Sequence, residues 1–153
     1  MGDASSRSCL VIALVLTLGL IGLTVMHFGR PHTHTGRTTL MLPPVSPGVA
    51  SPDPYPDLAK AVNLASSPTV VSNAAATLRG LGVKLTEQEL SASLIVRGNG
   101  HTGIMSIEVK RASPTEAKAA AGAIAAELKN EWAGKHQSRL GTVVPAYVEF
   151  PTW

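Results

Sequence analysis

His27, His32 and His34 put three imidazoles within eight residues, and imidazole is a common zinc ligand. A structural zinc site needs four ligands at defined spacing, most often with cysteine or acidic partners. Neither is close by. After Asp3 no acidic residue occurs until Asp53, and the single cysteine, Cys9, lies in an apolar run. The histidines read as part of a solvated Pro/Thr/Gly stalk, so no metal and no cofactor is expected. Gly98-Asn99-Gly100 has the composition of an anion cradle, but such loops work by leading into a helix N-terminus. This one lies between two strand patterns and is expected to be a hairpin turn. His101, Ser106 and Glu108 are residue types of nucleophilic catalysis. Ser106 and Glu108 share one face of an alternating strand, His101 belongs to the turn, and no G-x-S-x-G motif occurs. Glycoside chemistry needs two carboxyl groups held across a cleft. The acidic residues are few, and Glu89 and Glu116 fall at helix-capping positions. No catalytic residue is expected.

Arg97, Lys110 and Arg111 are different: they gather around the hairpin and are the candidate contacts for an anionic glycan or a partner. The formal charge of the whole chain is +3, too small and too scattered to point to nucleic acid.

The elements that would position these residues can be read from caps and periodicity. Thr38-Thr39-Leu40-Met41-Leu42 is a short strand candidate. A helix candidate covers Tyr55 to Leu64, with Leu58, Ala61, Val62 and Ala65 on one side. Ser67-Pro68 starts a second helix, with serine as N-cap and proline at N1. It is expected to run to Leu81, with Val70, Val71, Ala74, Ala75, Leu78 and Leu81 as its apolar face and Gly80 and Gly82 as stop signals. Thr86 and Glu89 fit a capping box, opening a helix that must be short, because Ser93 to Arg97 reads as a strand. Ile104 to Lys110 alternates: Met105, Ile107 and Val109 face one way, Ser106, Glu108 and Lys110 the other. The two strands predict an antiparallel hairpin. Ser113-Pro114-Thr115-Glu116 starts a long helix reaching about Lys135, buried through Ala117, Ala120, Ala121, Ile124, Leu128 and Trp132, with Gly134 and Gly141 ending it. Val143-Val144 and Tyr147 to Phe150 suggest a last strand.

Ahead of all this stands an apolar run, Cys9 to Met26, without a charged residue. Its 18 residues would span roughly 27 Å as a helix, close to the ~30 Å core of a bilayer. A cleaved signal peptide is the rival reading, but Thr24 to Gly29 lacks a good small-x-small site. The division is therefore a cytoplasmic head at 1–8 and a transmembrane helix at 9–28. A Pro-rich juxtamembrane segment follows at 29–56, and an extracytoplasmic α+β domain at 57–153. The bulk of the chain is placed outside the plasma membrane. The expected fold class is α+β: a transmembrane helix, then a small, mainly antiparallel sheet packed with helices. Aromatics are only 4% of the chain, so the core is thin and stability is expected to lean on oligomerisation or the membrane.

Several stretches carry a family likeness. They are Leu64 to Val71, Leu81-Gly82-Val83, Leu90 to Val96, Ile107-Glu108-Val109 and Ser113 to Ala117 with its Ala-rich helix. This resembles the extracytoplasmic domain of the chain-length determinant (Wzz-type) polysaccharide co-polymerases and their Gram-positive kinase-adaptor relatives. The likeness covers roughly residues 37 to 132, and the apolar run and the Thr38–Leu42 strand sit where the family has its first span and first strand. It implies a non-catalytic, homo-oligomeric protein that assists cell-surface polysaccharide assembly with a polymerase or the growing glycan. The family usually has a second span near its C-terminus. None is seen here, so a reduced, single-span version is expected. The alternative is a signal-anchored binding or assembly module of an envelope complex unrelated to polysaccharide.

Overall fold

Strand β1 runs from His34 to Met41, longer than the Thr38–Leu42 piece expected. Its alternation explains the difference. Gly36, Thr38 and Leu40 are buried, while Thr35, Arg37 and Thr39 are half-buried on the other face. Polar residues on that second face hide the strand from a search for apolar runs. The computed structural model describes residues 33–44, 54–136 and 140–149, all within one compact unit, Thr33–Trp153. The apolar run at 9–26, the head, and residues 29–32 and 45–53 of the Pro-rich segment lie outside the described residues. Among the described residues no helix is long and apolar enough to cross a membrane.

Of the four described helices, three follow the cap signals. Helix α1 spans Leu58–Ala65 and buries Leu58, Ala61 and Ala65. Helix α2 spans Pro68–Gly80, and Ser67 accepts a hydrogen bond from the Val70 amide at 3.4 Å, as an N-cap should. Val70, Val71, Ala74, Ala75 and Leu78 are buried. Leu81 departs from expectation. It is the C-cap, 69% exposed, because the chain leaves the helix there and Gly82 turns it with φ of +82°. Helix α3, Glu87–Ser93, has the full capping box of Thr86 and Glu89. Ser93 belongs to this helix, not to the strand. Its hydroxyl donates back to the Glu89 and Leu90 carbonyls at 2.9 and 3.1 Å. Helix α4 is Pro114–Lys135, capped by Ser113, with the predicted stripe buried and Ala123 and Ala125 added to it. Gly134 lies inside this helix, and the chain leaves it at His136, whose ring stacks on Trp132 at 3.9 Å. Gly141 opens a strand instead of ending the helix.

Strands β2 (Leu94–Asn99) and β3 (Ile104–Arg111) form the predicted hairpin, and β4 (Gly141–Glu149) is the last strand. The sheet order is β2-β3-β1-β4, and every pairing is antiparallel. Strands β1 and β2 run parallel with β3 between them. With the extra helices set aside, this is the split β-α-β arrangement β-α-β-β-α-β known as ferredoxin-like. The core lies between the sheet and the helices. Leu40, Met105, Ile107 and Val109 meet Leu78, Leu90, Ile124, Leu128 and Trp132 there.

Two features fix β1 at the centre. Gly36 lets α4 approach: a Cβ there would fall on the backbone carbonyl of Ala117 and 2.7 Å from the Lys118 nitrogen. On the β4 side the register shifts around Thr39. The buried Thr38 hydroxyl donates to the Val144 carbonyl at 3.0 Å, just before Pro145. A proline is tolerated at such a bulge on an edge strand.

Candidate interaction surface

None of the described helices packs on the second face of the sheet. By alternation it presents Thr35, Arg37 and Thr39 from β1, Ser106, Glu108 and Lys110 from β3, Ile95 and Arg97 from β2, and Tyr147 and Glu149 from β4. The register brings five of these together. Arg37 is opposite Glu108 on one side and Tyr147 on the other, and Thr35 is opposite Glu149.

The result is an ion network across three strands. Arg37 Nη2 donates to Glu108 Oε1 and Nη1 approaches Glu149 Oε1, both at 2.6 Å. Tyr147 Oη donates to Glu149 Oε1 at 3.4 Å. Glu108 is only 7% exposed although it faces away from the helices, so a position expected on a solvated face is buried beneath its neighbours. Burial works against the charge on Arg37. Its bonds to Glu108 and Tyr147 and the charges of Glu108 and Glu149 outweigh that, and its pKa lies above the ordinary value. The guanidinium stays charged and holds both carboxylates in place. Such a network sets strand register and surface shape.

The residues singled out for catalysis are not brought together. His101 stands in the exposed loop after β2, where its amide donates to Asn99 Oδ1 at 3.0 Å. Ser106 lies between Thr39 and Arg97 in mid-sheet, and Glu108 is held by Arg37. The Gly98-Asn99-Gly100 segment folds on itself: the Gly103 amide donates to the Asn99 carbonyl at 2.9 Å. Gly98 is in β2 facing Leu58 and Val62. His34 is the first residue of β1, and His27 and His32 lie outside the described residues. Among the described residues no three His, Cys, Asp or Glu side chains are grouped to hold a metal.

The three candidate cations divide between faces. Arg97 and Lys110 are exposed on the open face. Arg97 is in register with Ser106, four residues before Lys110, which is roughly 13 Å along the strand. Arg111 has the opposite parity and points to the helix side, where its charge helps hold Glu89 ionised. The three therefore do not form one patch. The Arg37 network escaped the sequence reading because β1 was expected to begin at Thr38. The signal that could have revealed it is the alternation Thr35, Arg37, Thr39 ahead of the apolar piece.

Elsewhere, two hollows of about 340 Å³ flank the start of α3. One is lined by Arg79, Leu85 and Thr86, the other by Ser66, Pro68 and Val71, and both reach Glu87 and Gln88. No buried, unpartnered polar atom lies in either. No protein-family model matches this sequence, and no curated protein matches it.

Proposed function

We propose that this is a membrane-anchored, non-catalytic protein of the chain-length determinant type, which assists cell-surface polysaccharide assembly by self-association. The observation that carries the reading is the order of the chain. An apolar, charge-free run leads into a central strand, then a Ser-Pro-capped helix, a hairpin and a second Ser-Pro-capped helix, the order on which the resemblance rests. The open sheet face supports it further: its acids Glu108 and Glu149 are bound in an ion network, which leaves the exposed Arg97 and Lys110 as the proposed contacts for a polymerase or the growing glycan. In this reading residues 9–28 hold the domain at the plasma membrane, and the unit that begins at Thr33 with β1 works outside it.

Crosslinking of the detergent-extracted chain tests the self-association, and a strict monomer counts against it. A strain lacking the gene should change its surface-glycan length distribution; an unchanged distribution removes the polysaccharide part. Co-purification with envelope proteins unconnected to glycan would move the assignment to an assembly module.

A further inference from the structure

Arg111 ends β3 in register with His34, the first residue of β1. Its Nε and Nη2 are enclosed and have no hydrogen-bond partner. These two N–H groups share one edge of the guanidinium plane, the side-on fork that fits two oxygens of one oxyanion. Glu89 is the acid that acts on Arg111, and its carboxylate is already bonded to the Thr86 amide and hydroxyl at 2.9 and 2.8 Å. Glu108 and Glu149, at this end of the sheet, are held by Arg37, and Glu116 stands in the neighbouring first turn of α4. Lys110 is exposed and makes no ion pair among the described residues. Swinging the Arg111 fork outward breaks no hydrogen bond, and adjacent strand residues then offer a fork and a point charge.

Chain length says which oxyanion is near. Only seven residues lie between Met26, the end of the apolar run, and His34, and this connection can span at most about 29 Å. The opposite end of the sheet, at Met41, Asn99, Ile104 and Gly141, carries no lysine or arginine. We infer that Lys110 and Arg111 contact lipid phosphate, seating the His34–Arg111 end of the sheet on the headgroups of an anionic membrane. Arg97 is then left as the open-face contact. The inference rests on the reading of residues 9–28 as a membrane span.

The test reconstitutes the full chain in nanodiscs of phosphatidylcholine alone or mixed with phosphatidylglycerol. Lys110 is footprinted with an amine-acylating reagent and Arg111 with a glyoxal. Each cation near an anionic surface should be protected about fivefold by phosphatidylglycerol, with Arg97 and Lys60 unchanged. R111Q should weaken the protection of Lys110, and K110Q that of Arg111. Equal reactivity in the two kinds of disc overturns this inference while leaving the span intact. Protection produced in phosphatidylcholine discs by inorganic phosphate alone assigns the fork to a free anion and overturns the lipid source. Failure of the chain to enter discs overturns both the span and the inference.

Discussion

Replacing Gly36 with alanine should lower stability more than any other single methyl addition to the sheet. Strand β1 is held on both sides, Gly36 pairing with Val109 of β3 and Val148 of β4, so it cannot slide away. The new methyl would meet backbone, not the end of a flexible side chain: the Ala117 carbonyl and the Lys118 nitrogen in the first turn of α4. That turn is itself tied down, because the Ala117 amide donates to the Ser113 carbonyl at 3.0 Å. The helix must shift as a body, and overpacking of this kind costs about 1–3 kcal/mol, here toward the upper end. For a domain of this size the loss corresponds to a fall in Tm on the order of 10 °C. Urea titration of the full chain in detergent, followed by tryptophan fluorescence, reads it through Trp132, which is 1% exposed and so reports its core. The midpoint should drop with an unchanged m-value. Gly134→Ala is the internal control. It adds the same methyl inside α4 with nothing within 4 Å, and should stabilise by roughly 0.5–1 kcal/mol. A Gly36→Ala loss below about 0.5 kcal/mol, well under the overpacking range, would refute the close approach of β1 to α4.

Arg37→Met leaves Glu108 buried without its partner and should cost about 2–3 kcal/mol in urea unfolding. Adding Glu108→Met should recover most of that loss, and a double variant no better than the single one contradicts the pairing. Ser113→Ala removes the N-cap of α4 and should cost about 1 kcal/mol by thermal melting. The Glu89 carboxylate is held below the ordinary glutamate range, first by the Thr86 amide, then by its hydroxyl and the Arg111 charge. A depressed carboxylate contributes stability that is complete above its unfolded value and lost as pH falls through its folded value. Wild type should therefore exceed Glu89→Gln at neutral pH, with the gap closing under acid; a gap that widens in acid contradicts the assignment.

The helices were legible because their signals are local. Ser67, Thr86 and Ser113 each cap the helix that they were expected to cap, since an N-cap needs only a side-chain oxygen and an amide three residues on. The hairpin was legible for the same reason: a glycine-rich turn between two apolar patterns depends on neighbours in sequence. Two misses were local competitions and one answers to distant residues. Leu81 has the right spacing for α2 but falls on the turn closed by Gly82. Ser93 looks like strand, yet its hydroxyl finds the carbonyls of α3. The start of β1 was missed because Arg37 and Thr35 are polar, and a polar strand residue makes sense only once its partners are known.

The sequence by itself determined the α+β class, the caps, the hairpin and the inward set Met105, Ile107 and Val109, because period and capping are properties of a few consecutive residues. Only the tertiary structure decided that β1 lies between β3 and β4, that Arg37 gathers Glu108, Tyr147 and Glu149, and that Arg111 parts from Arg97 and Lys110. The first two depend on register between strands far apart in the chain, and the third on β3 continuing as a strand through Arg111. With a side-chain period of two, register and parity decide which charges share a face.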